Sequence, residues 1–452
     1  MSKFRKNTVA ICGGAFGDEG KGKLTDKFVS DFSRKYKVVV YRDNGGANAG
    51  HTIELDNGKR IALHLLPSGV FSKNSTTIIG KGMVIHPDDL IGEINGVEAM
   101  VNGEVPTKIL IDEMAILSLD THRAFESILK TWEEGGKGST ARGISPAYAD
   151  VLLRHPVRMR DLRNFNVEKF TRHYRLYEAL VKGMGGVLAD IEVPSINGPK
   201  KVGTLKEFLA KLQASKKKLD PYICDVTDFL KNAWADKKYA FVFEKAQAVG
   251  LDPRYGVYPD VTSSDTTFGG ILSSTEGVVD PQNIGIRVAV IKATYMSSVG
   301  TRKIPTFVPE TLANRIREDA HEYGATTKRP RDIAYLDLPA IKFFNNVNHA
   351  NYLALTHMDI VYPDTQVKVC IAYEVDGKKT DYRPDQEFIS KVKPIYKIFK
   401  TWNKEAISSA KTWKDIPKEA KVFLKFVAKE IGIPILIITM GPKRSQSMTL
   451  KV

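Results

Sequence analysis

Short β-branched and aromatic runs, each closed by glycine or polar clusters, recur along the chain at 8–12, 37–41, 77–80, 108–112, 239–244, 287–291, 352–355 and 435–438. Their length and bounding residues predict buried strands. Between them lie helical periodicities, first at 24–32 and then at 87–102, where Asp88 and Asp89 occupy the first turn. Strand–helix–strand alternation of this kind predicts an α/β fold with a large, mostly parallel central sheet flanked by helices. Apolar runs within 61–85, including 62–69, predict further buried strands. Residues 163–240 change character: Phe170, Tyr174, Tyr177 and Val181, then Leu205, Phe208, Leu209 and Leu212, repeat at helical spacing. This section predicts a helical insertion, with a connection at 193–201 and a solvated Lys216-Lys217-Lys218 face. No internal repeat is visible, so one domain over 1–452 carrying that insertion is expected.

Composition narrows the class. With 452 residues, 42% of them hydrophobic, the chain can bury a sizeable core. A formal charge of +15 favours anionic partners, and nucleotides suffice for this. Basic residues are spread along the chain without a tail or an RNA-module signature, so nucleic acid is not an expected partner. Cys12, Cys224 and Cys370 are too far apart for a disulfide framework or a CxxC metal site, which points to a reducing cytosol. The apolar run near the N-terminus is too short for a signal peptide, and no stretch approaches the ~20 apolar residues of a membrane span. A cytoplasmic protein without a membrane partner is expected.

The candidate chemistry begins where the first strand empties into Gly13-Gly14-Ala15-Phe16-Gly17-Asp18-Glu19-Gly20-Lys21-Gly22-Lys23. A glycine loop between strand and helix lets backbone N–H groups converge on phosphate. The spacing is P-loop-like, but Leu24 stands where a P-loop places Ser or Thr. Asp18 beside phosphates is repelled unless a cation bridges them or the carboxylate takes a proton, so it reads as a metal ligand, a base, or both. The second strand ends in Asn44-Gly45-Gly46-Ala47-Asn48-Ala49-Gly50-His51-Thr52, and loops at adjacent strand ends face one crevice. His51 there is a candidate proton donor, whereas His64 and His86 read as structural. The stretch 135–148 reads as a long loop of glycines, hydroxyls and cations, with Arg154, Arg158 and Arg160 behind it. Further candidate anion contacts lie at 258–264 and 324–331. Asp359, behind the strand at 352–355, could accept from a guanine edge.

Five motifs in order, Gly-Asp-Glu-Gly-Lys-Gly-Lys at 17–23, Asn-Ala-Gly-His-Thr at 48–52, Pro-Ala-Tyr at 146–148, Val-Thr-Ser-Ser at 261–264 and Gly-Ala-Thr-Thr at 324–327, resemble adenylosuccinate synthetase over nearly the whole chain. The resemblance implies a homodimeric ligase that joins L-aspartate to IMP with GTP and Mg²⁺, giving adenylosuccinate, GDP and phosphate. It implies Asp18 as the base that lets the purine 6-oxygen attack the γ-phosphate, and His51 as the acid. Asp18 and the Gly50 carbonyl would hold the metal. Gly17, Glu19, Gly20, Lys21, Gly22, Lys23, Gly50, Thr52, Arg331, His357, Met358, Asp359, Thr439, Met440 and Gly441 match the triphosphate site. Asp18, Lys21, Asn48, His51, Thr140, Gln247, Thr262 and Arg329 match the IMP contacts, with Arg154 supplied across the dimer. Ala325, Thr326, Thr327, Lys328, Arg329 and Arg331 match the aspartate loop.

The chain departs from that pattern as a divergent member. Phe16 replaces a tryptophan, Ala141, Ser145, Lys245, Ala248 and Lys328 replace glycines, and His357 stands for a lysine that stacks on guanine. The alternative reading is a relative that makes 2-aminoadenylosuccinate from (d)GMP with ATP. The intact Asp18 favours IMP, and the retained Asp359 favours GTP. A non-catalytic nucleotide-binding regulator is a second alternative, opposed by the presence of Asp18, Lys21, His51 and Arg329 together.

Overall fold

The structure is a computed structural model, which describes residues 5–54, 58–132, 139–196, 198–299, 302–324 and 329–450. The predicted strands assemble into a ten-stranded sheet. Its members are β1 (Arg5–Gly13), β2 (Lys37–Arg42), β3 (Ser75–Ile79), β4 (Lys108–Asp112), β5 (Ile223–Cys224), β6 (Tyr239–Ala248), β7 (Ile284–Lys292), β8 (Tyr352–Thr356), β9 (Ile435–Thr439) and β10 (Ser447–Thr449). The spatial order is β5-β4-β3-β2-β6-β1-β7-β8-β9-β10, parallel throughout except for the antiparallel β10.

Burial on both faces explains the unbroken apolar runs of the inner strands. Val9 and Ile11 of β1 pack with Leu24, Phe28 and Val29 of α1 (Lys21–Phe32), whereas Ala10 and Cys12 face the larger core on the opposite side. That second core reaches a five-stranded sheet formed by Tyr295–Ser298, Asp332–Asp337, Val367–Val375, Lys378–Thr380 and Lys393–Phe399. Because the strands flanking β1 run parallel, β2, β6, β1, β7, β8 and β9 deliver their carboxyl ends to one edge, where doubly wound sheets place their ligands.

Three expectations need correction. The run 62–69 is not a strand of the sheet: Arg60–Leu63 forms an antiparallel hairpin with His51–Glu54, and the chain then turns. The stretch 135–148 is not all loop, because a helix α4 (Ile144–Leu152) starts within it; Pro146 lies in its first turn, where the missing N–H has no helical partner to lose. The section at 163–240 does contain helices, Val167–Gly183, Leu205–Leu219 and Thr227–Ala235, but it is not purely helical. Glu192–Val193 pairs with Lys200–Lys201, and β5 returns to the main sheet beside β4. Phe170, Tyr174, Tyr177 and Phe208 pack in one core with residues of β3, β4, the helix α2 (Pro87–Val101) and the helix α3 (Asp120–Leu129).

Gly143 shows how tightly α4 is set. It precedes the helix at φ 71°, and a Cβ there would lie 2.7 Å from Ser118 Oγ and 2.9 Å from His122 Cβ. Left-handed backbone plus that contact predicts that Gly143→Ala lowers stability by about 1–3 kcal/mol, read as a lower urea midpoint at unchanged m-value.

Candidate active site

Loops at that edge, after β1, β2, β6 and β8 among others, enclose a cleft of about 1290 Å³. Gly17, Asp18, Gly20, Lys21, Gly22, Asn48, Gly50, His51, Thr52, Thr140, Gln247, Thr262, Arg329, Arg331 and His357 all line it. The loop after β1 approaches the second loop closely because Gly22, in the first turn of α1, has no side chain. A Cβ on Gly22 would stand 3.0 Å from His51 Cβ and 3.1 Å from Ser68 Oγ. The first turn of α1 carries no acidic residue and no side-chain cap, which leaves its amides available to an anion.

Within the loop, Glu19 is buried and turned inward. Its carboxylate accepts from Gly17 N at 2.8 Å and from Ala15 N at 3.3 Å, and it pairs with Lys21 Nζ at 2.8 Å. It therefore shapes the loop and does not line the cleft. Phe16, where the family has tryptophan, is buried edge-on against Phe344 at 5.4 Å and under the Arg302 guanidinium at 5.3 Å.

Asp18 adopts the left-handed region at φ 58°, strain of the kind that concentrates at functional sites. Its Oδ2 accepts from Arg331 Nε at 2.7 Å. Burial alone would raise its pKa, but Arg331, Lys292 and Lys21 together hold it below the ordinary carboxylate value. The group is ionised at neutral pH.

His51 is organised from below by a residue that the sequence reading did not single out. Glu244, fully buried in β6, receives His51 Nδ1–H at 2.5 Å, Ser68 N–H at 2.8 Å and Ser68 Oγ–H at 2.5 Å. Burial opposes its charge, yet His51, Arg42 and Ser68 bring it down to about 2. With Nδ1–H committed to Glu244, His51 keeps Nε2 for whatever enters the cleft. Burial lowers the His51 pKa, with Glu244 opposing and Arg42 adding to the fall.

Across the cleft, Gln247 is a second non-glycine residue at positive φ, 58°. Its Oε1 accepts from Ser264 Oγ at 3.2 Å, whereas the buried Gln247 Nε2 and Thr262 Oγ1 have no hydrogen-bond partner. Such groups are costly unless a ligand satisfies them. The Lys245 that replaces a glycine is neutralised by Asp43 in a buried ion pair.

Lys23, Met358, Asp359, Thr439, Met440 and Gly441 do not line the cleft but gather beyond it. Lys23 Nζ donates to the Gly441 carbonyl, Met358 N donates to Thr439 O at 3.0 Å, and Trp402 Nε1 donates to Met358 O at 2.8 Å. Burial brings Lys23 down to about 8, with Asp359 and Glu54 opposing. Asp359 Oδ1 is buried without a partner. His357 is pulled down to about 3 by burial and by Lys292 and Lys23, so its ring is neutral.

Arg154 also lies outside the cleft, at φ 67° directly after Leu152 and Leu153, which are 84% and 66% exposed. Residues 325–328, expected to bind aspartate, lie outside the described residues, as does 135–138 of the glycine-rich stretch. His64 and His86 are held by Ala49 O and by Asp120.

Among the described residues, His122, Asp150 and His173 form a cluster of metal-ligating types, away from the cleft. There Leu119 N–H donates to His122 Nδ1 at 2.9 Å, so His122 Nε2 retains its proton and gives it to Asp150 at 2.9 Å. Tyr177 O–H completes the carboxylate at 2.9 Å. The cluster is a hydrogen-bonded cross-link between α3, α4 and the helix Val167–Gly183. Also among the described residues, no helix is long and apolar enough to cross a membrane.

A parallel sheet with a phosphate loop, an ionised carboxylate and an oriented histidine at one edge defines a nucleotide-dependent enzyme of the α/β class. The family model for adenylosuccinate synthetase matches residues 10–448. The chain is 35% identical to the adenylosuccinate synthetase of Chlorobaculum parvum over 99% of this chain and 98% of that protein. It is 33% identical to that of Plasmodium knowlesi, over 98% and 97%. Its fold superposes on the fully ligated Plasmodium falciparum adenylosuccinate synthetase with a TM-score of 0.86, 31% identity and coverage of 98% and 100%. A cyanophage S-2L succinoaminodeoxyadenylate synthetase bound to dGMP and dATP shares the fold more distantly, with a TM-score of 0.58, 17% identity and coverage of 99% and 96%. The chain belongs to the adenylosuccinate synthetase family, ligases that form a C–N bond in purine biosynthesis.

Proposed function

We propose that this chain ligates L-aspartate to IMP with GTP as phosphoryl donor, in the cytoplasm. The observation that carries the reading is Asp18, an ionised carboxylate of the phosphate loop that lines the same cleft as the unsatisfied Gln247 and Thr262 groups. Asp18 takes the N1 proton of the purine, O6 attacks the γ-phosphorus, and the bond to the β-phosphate oxygen breaks to release GDP. His51, once protonated at Nε2 as the anionic phosphates favour, gives that proton to the phosphate as charge develops there. The amine of aspartate then attacks C6 and sheds one proton, which leaves with the phosphate and O6 as the C6–O6 bond breaks.

Gln247, Thr262, Asn48, Thr140, Lys21 and Arg329 serve as the monophosphate contacts. The neutral ring of His357 and the Asp359 carboxylate receive the guanine, with Met358, Thr439, Met440 and Gly441 closing that end and Lys23 tying it to the phosphate loop. Arg331 and Arg329, with 325–328, receive aspartate; as its carboxylates take Arg331, Asp18 is released for proton abstraction. The Asp18 carboxylate and Gly50 carbonyl are hard oxygen donors on one cleft and fit Mg²⁺, which when bound screens the carboxylate from the phosphates. The exposed Leu152 and Leu153 suit a homodimer interface that carries Arg154 toward the partner's cleft. The insertion, sharing its core with α2 and α3, belongs in this reading to a single domain.

The test is a rate matrix of IMP, GMP and dGMP against GTP and ATP, with and without aspartate. IMP with GTP and aspartate should turn over fastest. A best rate with dGMP and ATP would replace this reading with 2-aminoadenylosuccinate synthesis, and nucleotide hydrolysis independent of aspartate would remove both.

A further inference from the structure

Glu126, on the last turn of α3, is a buried carboxylate at the wall of the cleft, where bare negative charge would repel a phosphate-bearing substrate. Its oxygens are not bare. Oε1 accepts from Ser139 Oγ at 2.7 Å and Oε2 accepts from Gly143 N at 2.6 Å, so the carboxylate brackets residues 139–143 from both ends. Between those two anchors lies Thr140, which lines the cleft. The bracket is reinforced nearby: Ala141 N donates to Ser139 Oγ at 3.2 Å, and Ser118 Oγ donates to Arg142 O at 3.0 Å. Ala141 sits at φ 52°, a conformation that a residue with a Cβ keeps only when its surroundings impose it.

We propose that Glu126 is a positioning residue for the monophosphate subsite: it holds Thr140 at the cleft wall by bonding Ser139 and Gly143 on either side. It touches no substrate itself. The inference rests on the proposed assignment of Thr140 to IMP. It assigns to α3 the task of setting the IMP affinity, through a charge whose two oxygens each accept from the loop it organises.

The test is steady-state kinetics with each substrate varied in turn. Glu126→Gln keeps the shape but removes the charge that strengthens the bonds from Ser139 and Gly143. The KM for IMP should rise about 10-fold or more, as expected for losing a charge-assisted hydrogen bond, with kcat within about threefold and the KM values for GTP and aspartate unmoved. Ser139→Ala should give a smaller rise of the same kind, and the double variant should fall short of the product of the two. Equal rises in all three KM values, a fall in kcat alone, or parental kinetics in Glu126→Gln would overturn the proposal. If Glu126→Gln does not fold, the Ser139→Ala variant decides, and an unchanged KM for IMP overturns it. Failure of the unsubstituted protein to use IMP would instead sink the proposed function, a result distinct from an active parent with an unresponsive variant.

Discussion

Asp18→Asn should lose at least about 10²-fold in kcat, the effect expected of a positioned general base. The amide keeps the volume and can still accept from Arg331 through its carbonyl oxygen, so folding should survive. It cannot take the N1 proton or carry the charge that suits a cation. Circular dichroism and the melting midpoint should match the parent while the rate with saturating IMP, GTP and aspartate collapses. Turnover near the parental rate would remove Asp18 from the chemistry. The lowered pKa also has a sign: the group stays ionised as pH falls through the ordinary carboxylate range, so the acid limb of the rate should not be set there by Asp18 in the resting enzyme.

Glu244→Gln should cost about 10²-fold in kcat, near the lower end for an acid that is retained but misdirected. The carboxylate is what fixes Nδ1–H of His51 and raises the tendency of the ring to hold a second proton at Nε2. Removing the negative charge lowers the His51 pKa further. The alkaline limb of the pH–rate profile should therefore move to lower pH, a shift that simple loss of packing would not produce. Stability follows the same group. Glu244 sits at about 2 in the folded protein against an ordinary 4.5, so its contribution is complete above 4.5 and fades as pH falls toward 2. The Gln variant should lack that acid-dependent component in urea titrations at pH 5 and pH 3.

Much of this site was legible because the loops that build it are glycine-rich ends of strands whose apolar runs are easy to recognise. Asp18 and His51 stood out as ionisable residues among small ones, and the parallel sheet brought their loops together. Glu244 was hidden for the opposite reason: it ends the run Ala240-Phe241-Val242-Phe243, and a single carboxylate inside a strand looks like its boundary until its hydrogen-bond partners are seen. Ser68 and Glu126 are equally silent, since their value lies in bonds to residues distant along the chain or in an adjoining loop. The start of α4 was masked by Gly143 and Pro146, which signal turns locally but here cap and open a helix. The return of β5 to the sheet was masked by its length, two residues inside a section whose periodicity is otherwise helical. The proposed guanine end was read from Asp359, but the lysine that joins that region to Gly441 belongs to the first loop, 418 residues away in sequence.

The bond between Arg331 and Asp18 also bears on economy. While that pair stands, the carboxylate has a cation on its lone pairs, and a triphosphate arriving alone meets a base already occupied. Under the proposed role of Asp18, water gains little from such a base, and the resting arrangement would guard against idle consumption of the nucleotide. In the proposed reaction the amino acid, by drawing the guanidinium to its own carboxylates, would become the signal that both partners are in place.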